Sequence, residues 1–460
     1  MTFDVIVVGA GAAGVAAALA AASNGARTAL VEASPYPGGE LVGGLPLLGT
    51  RNSLGERIVG GPLDSLLDSC ASLDGYVGDL FDWRTTWGTC VDPEAMRIAV
   101  VEQLALRSVT FLPSSLVIAV ETADGGPAAV SVLDRAGTRS TLTAHVVVDA
   151  SGDGSVSELA GARLERGDVH GGFQPVSLTF RMGGVDFGPL LQFVRDNPEQ
   201  FMLGQNPVIG KTPAECAERV HASGLPFVAM SAEDPGSLMG TAIEQGSLYP
   251  TTGMWMWPTS LARRELGLNT TRVSGIDAMD ARAMGEALAT LTGQVRAAIG
   301  FVRKHLPGFA GAHLAGAGPK VGIRETRRVA GEHTLSGADA LRGRKHADGV
   351  AKGGHHVDIH GSGTYQKRVP IEGGRSYDIP YAALVPRHVR NLLVCGRALS
   401  SDREANGSAR VIGTCMATGQ AAGTAAALAA RAGLGDVREV PVGEVRDVIR
   451  AQGGVVDGTA

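Results

Sequence analysis

The chain has 460 residues, too many for one ordinary core, so two domains are expected, and 44% hydrophobic content is enough to fill them. A formal net charge of -5, with no long Lys/Arg run, excludes an electrostatic footprint for nucleic acid. The five cysteines (Cys70, Cys90, Cys216, Cys395, Cys415) are scattered with no C-x-x-C pair, which fits a reduced, cytoplasmic protein.

In chain order, residues 3–8 form a short apolar, β-branched run, as a buried parallel strand should. Residues 14–24 are Ala-rich and helical, and Gly25 ends them. Residues 28–32 form a second strand, completing β-α-β in about thirty residues, the length of one nucleotide-binding unit. This start is not a secretory signal or a membrane span: Asp4 stands where a basic region would, and a glycine turn splits the apolar stretch. Residues 34–61 read as a Gly/Pro-rich loop, 93–105 as a helix, and 109–111, 117–121, 129–133 and 141–149 as strands. From about 168 to 315 the composition changes to Met-rich, Pro-bounded segments with Trp255 and Trp257; 175–181 reads as a strand and 279–305 as a long helix. Residues 391–395 are a last buried strand, 413–432 a long Ala-rich helix, and the tail after Gly435 one peripheral helix.

The turn after the first strand is Gly9-Ala10-Gly11-Ala12-Ala13-Gly14. Gly9 permits the tight turn. Gly11 lets backbone N–H groups and the helix N-terminus reach a pyrophosphate, and Gly14 lets helix and strand pack closely. Glu32 closes the second strand, where a carboxylate accepts bonds from ribose hydroxyls and disfavours a 2′-phosphate. Strand, glycines, helix, strand and acid in register point to a dinucleotide. Three later segments select FAD over NAD: the turn Asp149-Ala150-Ser151-Gly152-Asp153-Gly154, the strand-to-glycine return Asn391 to Gly396-Arg397, and the helix of small residues opened by Gly413-Thr414. Small side chains let that helix start approach a wide planar ring, where its dipole would stabilise negative charge. The plainer alternative is that its Ala/Gly pattern serves close helix packing.

With these segments, together with Pro37-Gly38-Gly39, residues 322–331 and Ile379-Pro380-Tyr381, the chain resembles over nearly its whole length the FAD-dependent oxidoreductases related to the fumarate reductase and glutathione reductase groups. The resemblance implies an α/β fold: a Rossmann-type, doubly wound FAD domain split across 1–165 and 318–435, an inserted α+β substrate domain at 166–317, and a peripheral segment at 436–460. The expected FAD contacts are Gly9, Gly11, Ala12, Ala13, Gly14, Glu32, Ala33, Gly39, Glu40, Leu41, Val117, Ala150, Ser151, Gly152, Arg324, Gly396, Arg397, Gly413, Thr414, Gly419, Gln420 and Ala421. No metal is expected.

The sharpest chemical constellation is Gly353-Gly354-His355-His356-Val357-Asp358-Ile359-His360. If extended, it puts His356, Asp358 and His360 on one face and Val357 and Ile359 on the other. Three readings compete: a polar wall beside the substrate with one histidine as acid/base, a structural network in which Asp358 orients a histidine, and a metal site of poor facial geometry. Arg324, Arg327, Arg328, Arg397, Arg403 and Arg410 either hold a substrate carboxylate or reduced-flavin charge, or pair internally, as Arg324 or Arg328 with Glu325 or Glu332. Trp255, Trp257 and Tyr249 line a pocket or fill core.

There is no dithiol beside the first glycine loop and no second strand-GxGxxG-helix for NAD(P)H, so reducing equivalents are expected from the substrate. The leading expectation is a dehydrogenase or oxidase of a small organic molecule, with His356 or His360 as base, Asp358 and Arg397 beside them, and a homo-oligomer possible. The rivals are a reductase of activated C=C bonds, a flavoprotein with a macromolecular partner, and a sulfur donor using a sacrificial cysteine.

Overall fold

In the computed structural model, which describes residues 1–459, Val5–Val8 lies at the centre of a five-stranded parallel sheet. The strand order is Leu392–Val394, Val146–Asp149, Val5–Val8, Thr28–Val31, Thr110–Leu112, so the two ends of the chain meet in one sheet. Its strands read as unbroken apolar runs because both faces are covered. Val5 and Val7 pack toward the helices Ala12–Ser23 and Ile412–Ala432. Ile6 and Val8 pack on the other face against Val130, Val132 and Leu142 of an antiparallel meander, Leu116–Ala123, Gly126–Leu133 and Arg139–Thr143.

The two helices touch backbone to backbone. A Cβ on Gly419 would stand 2.1 Å from the Ala13 carbonyl oxygen, and one on Gly423 2.1 Å from that of Ala17. Glycine at these two turns sets the helix spacing.

Residues between the halves of this unit build a second core of their own. Its antiparallel sheet runs Val228–Ser231, Gly253–Ser260, Glu265–Asn269, Phe180–Gly183, His313–Ala317, covered by helices that include Phe187–Asp196, Pro213–Ser223 and Ala281–His305. It is tied to the first unit by Trp257 Nε1 donating to the Gly44 carbonyl (2.7 Å) and by Arg181, which bridges Glu265 (2.8 Å) and Glu94 (2.9 Å).

Two expected strands differ. Residues 141–149 are two strands rather than one: Thr143 finishes the meander, His145 turns aside to bond the Leu434 carbonyl (2.8 Å), and Val146 opens the parallel strand. The strand expected at 175–181 becomes a ladder only at Phe180–Gly183, with Val176 and Ser177 held by single bridges. The stretch after the first loop also holds a helix, Pro62–Ala71, and the strands Tyr76–Phe81 and Trp87–Val91, which the composition did not announce. Among the described residues no helix is long and apolar enough to cross a membrane.

Candidate active site

The glycine turn is shaped around an opening. Gly9 has φ +94°, and a Cβ there would lie 2.6 Å from the Ala150 carbonyl oxygen; one on Gly14 would lie 1.7 Å from that of Gly9. At Gly11, the N-cap of the Ala12–Ser23 helix, an added Cβ would meet nothing within 4 Å. That helix start has no side-chain cap and no acidic residue in its first turn, so its positive end is free for an anion. Glu32 accepts from the N–H groups of Ala10 (2.6 Å) and Ser34 (2.7 Å), Ala33 lies between strand and turn, and Ser115, two residues before Val117, donates its N–H to the Glu32 carbonyl (2.8 Å). These residues form one rim.

The second turn, Ala150-Ser151-Gly152, is braced by Asp149, whose carboxylate accepts from Ser151 and Ser157. Gly396 (φ +75°) approaches the first turn so closely that a Cβ would lie 2.8 Å from that of Ala13. The segment 39–50 then connects cradle to cavity. Gly39 packs against Gly11, Glu40 lies 3.8 Å from Lys320, Leu41 is core, Leu45, Pro46 and Leu48 line the cavity, and Gly49 seats against Gly413. The helix Ile412–Ala432 begins there without a side-chain cap, and the Thr414 hydroxyl is buried without a partner. An uncapped helix start and an orphaned hydroxyl beside an open glycine turn suit a dinucleotide whose ring end reaches this point.

Other residues expected to contact FAD are engaged within the protein. Gly419 and Ala421 are in helix packing, and Gln420 turns to the Gly61 and Gly454 loops. Arg397 is fully engaged: Nε with the Gly152 carbonyl (2.9 Å), one NH with that of Ile323 (2.7 Å), the other with Asp153 (2.8 Å). It locks the second turn in place. Arg324 donates to the Pro175 carbonyl and the Ser177 hydroxyl, both at 2.7 Å, and burial, then Arg410 and Arg272, bring it down to about 9. Arg328 pairs with Glu325 (2.9 Å), Arg403 with Glu325 and Asp168, and Arg327 with Glu158. Most of these arginines are structural fasteners.

The cavity, of about 90 Å³, is walled by Leu45, Phe227, Trp255 and Trp257 on its apolar side and by the histidine segment on its polar side. Gly353 and Gly354 let that segment pass tightly against Tyr377 and Ile58. His355 and His356 stack, centroids 3.9 Å apart, and His355 Nδ1 bonds the His356 carbonyl (2.8 Å). Val357 and Ile359 of the strand Val357–His360 are buried away from them.

His360 is pinned in one tautomer. Its Nδ1 faces an Arg272 NH at 2.5 Å, and since arginine only donates, Nδ1 accepts; Nε2 then donates to Asp358 (2.9 Å). Burial, only partly opposed by Asp358, lowers its pKa to about 3, so it is neutral with both nitrogens committed. His356 differs. Its Nδ1 is buried without a partner, and burial, then the neighbouring His355, holds it well below its ordinary value. Burial alone would raise the Asp358 carboxyl; the hydrogen bond from His360 and the positive Arg410 outweigh it and hold it well below the usual range.

Arg84 and Arg368 are among the cavity residues that the sequence did not single out. Arg84 lies in a loop that Asp82 folds by accepting the N–H groups of residues 84, 85 and 86 (2.9, 2.8 and 2.9 Å). Arg368 faces Asp358 across the hairpin formed with Gln366–Val369. An Asp before Arg-Thr-Thr, and the Gly361-Ser362-Gly363 turn after the histidines, were the available signals. A separate cluster, His333, Asp339 and His346, lies outside the cavity lining, and Arg344 already engages its carboxylate (2.9 Å).

The family model described as FAD dependent oxidoreductase matches residues 4–449. Solved structures similar to this chain include a geranylgeranyl bacteriochlorophyll reductase-like protein of Thermoplasma acidophilum (13% identity, 98% of this chain, 84% of that one, TM-score 0.45). Others are the myxobacterial chondrochloren halogenase (14%, 98% and 79%, 0.45) and a p-nitrophenol 4-monooxygenase of Pseudomonas putida (13%, 97% and 83%, 0.43). Likenesses this distant carry no argument about the reaction. Among curated proteins no match is found.

Proposed function

The chain belongs to the FAD dependent oxidoreductase family, and from that premise we propose that it oxidises a small organic molecule held in the cavity beside His356. FAD, when bound, supplies the two-electron acceptor for the hydride that leaves the substrate carbon. The residues that would hold it are the Gly9–Gly14 turn, Glu32, the Ala150–Gly152 turn, Gly396 and the start of the helix at Gly413-Thr414.

The observation that carries the reading is the contrast between the two candidate bases. His360 has both ring nitrogens committed, whereas His356 is also in the cavity lining and its Nδ1 is buried without a partner. Burial keeps His356 unprotonated at neutral pH, the state in which it takes the proton released from a substrate O–H or N–H. His360, oriented by Arg272 and Asp358, acts as a positioning residue for the wall. In anaerobic stopped-flow, His356→Asn should slow bleaching of the bound flavin by substrate by roughly 10²–10⁴-fold with FAD content unchanged. A wild-type rate would remove His356 from the reaction.

Reduction of an activated C=C bond is the second reading, supported by the guanidinium-rich wall described below. It predicts that fumarate-like acceptors reoxidise the reduced protein stoichiometrically. A sulfur-donor role has little support, since all five cysteines are buried and burial pushes the Cys415 thiol up to about 12.

A further inference from the structure

We propose that the cavity recognises a carboxylate: Arg84 and Arg368 receive the anionic end of a small acid whose apolar body lies against Trp255, Trp257 and Phe227. The inference rests on the reading of this cavity as the substrate site and adds the substrate's chemical class.

Arg84 is only 1% exposed, yet no carboxylate pairs with it among the described residues. Asp82, Asp358 and Glu233 act on its charge only through space, and Asp82 spends its carboxylate on three backbone N–H groups. Its Nε donates to the neutral amide oxygen of Gln205 (2.7 Å), and one terminal nitrogen is buried with no partner. A buried charge without a counter-ion is costly enough that folded proteins rarely keep one. Arg368 repeats the pattern only in part, since it forms a long ion pair with Asp358. Its Nε is also buried without a hydrogen-bond partner, 4.0 Å from Asp358, and an NH reaches the same Gln205 oxygen at 3.4 Å. Both guanidiniums lie over the Trp255 ring, at 5.0 and 5.6 Å from its centroid.

Gln205 and Trp255 come from the inserted unit, Arg84 and Arg368 from the other. Trp255, Arg84 and Arg368 meet in a lining that also contains His356, and Gln205 bonds both guanidiniums from outside it. Asp358 cannot serve all the positive groups around it, since it already bonds His360 and Gln366 and lies 3.9 Å from Arg410. Planar guanidinium forks match a carboxylate, and Phe227 and Trp257 offer only apolar surface for the remainder of the molecule.

The test titrates the yellow holoprotein with acid–amide pairs, from propionate and propionamide to benzoate and benzamide, and reads flavin difference spectra and thermal shift. At least one acid should bind at least tenfold more tightly than its amide. Arg84→Met should weaken that acid by roughly 10–100-fold, the range for a lost hydrogen bond to a charged group, and leave the amide unchanged. Arg84→Lys should recover part of the loss. Arg368→Met should act in the same direction, and decides the matter if Arg84→Met does not unfold cooperatively. Equal binding of acids and amides, or no binding of any acid, overturns the proposal; so does inorganic phosphate displacing the acid at equal concentration, which would make the ligand a phosphate ester. A colourless protein overturns the flavin reading instead, and thermal shift by the same pairs still decides the anion site.

Discussion

The nucleotide cradle and the cavity are built in different materials. The cradle is backbone: glycines at Gly9, Gly11 and Gly14, two uncapped helix starts, and turns braced by Asp149 and Arg397. The cavity is side chain and charge: histidines kept neutral by burial, guanidinium nitrogens left without a hydrogen-bond partner, and tryptophans from the strand Gly253–Ser260. A backbone site tolerates almost no added atom but has little stake in charge. A charged, buried site accepts shape changes more readily but depends on pH and on each partner.

Gly14→Ala tests the first half most harshly. Its methyl would stand 1.7 Å from the Gly9 carbonyl oxygen, so FAD content, read from visible absorbance per chain, should fall below a tenth of wild type or the protein should be insoluble. In the cavity, Asp358→Asn removes the carboxylate that serves His360 and lies near Arg368 and Arg410. Breaking such a buried pairing should cost about 3–5 kcal/mol in denaturant unfolding, with the cradle's FAD still bound by the surviving fraction. Gly419→Ala should also be costly, about 3 kcal/mol or more, because its methyl would stand 2.1 Å from the Ala13 carbonyl oxygen and the two helix backbones must separate.

Acid should discriminate the two regions as well. The folded pKa of His355 is lowered from 6.5 to about 4 and that of His360 to about 3, chiefly by burial. Below 6.5 the unfolded chain takes up protons that the folded one refuses, so stability is full above that pH and is lost as pH falls toward 4 and then 3. By pH 5 the loss from His355 alone is on the order of 2 kcal/mol. Asp358 stays ionised throughout this window, being held well below its usual range, and does not contribute. An unfolding midpoint that is flat from pH 7 to about pH 5 would show the histidines to be open to water.

The same contrast explains what could be read before the fold was known. The turn proposed as a cradle was legible as a turn because its requirements are local: a glycine that must have φ +94° at residue 9, and an acid closing a strand at residue 32, leave marks about twenty residues apart. The face shared by Asp358 and His360 was legible for the same reason, through alternation along one strand. Arg84 and Arg368 were not, because their meaning lies in guanidinium nitrogens left without a hydrogen-bond partner, which exist as such only after residues 84, 205, 255 and 368 have been brought together. Gly419 and Gln420 show the converse. A run of small residues looks alike whether it faces a ring or a neighbouring helix, and only the 2.1 Å approach to Ala13 tells which.

The most direct test of the account is the FAD bound per chain in three proteins purified alike: wild type, Gly14→Ala and Arg84→Met. The account predicts a yellow wild type, a yellow Arg84→Met with equal flavin and weakened acid binding, and a Gly14→Ala stripped of flavin. A colourless wild type, or an Arg84→Met that loses flavin as completely as Gly14→Ala, would contradict it.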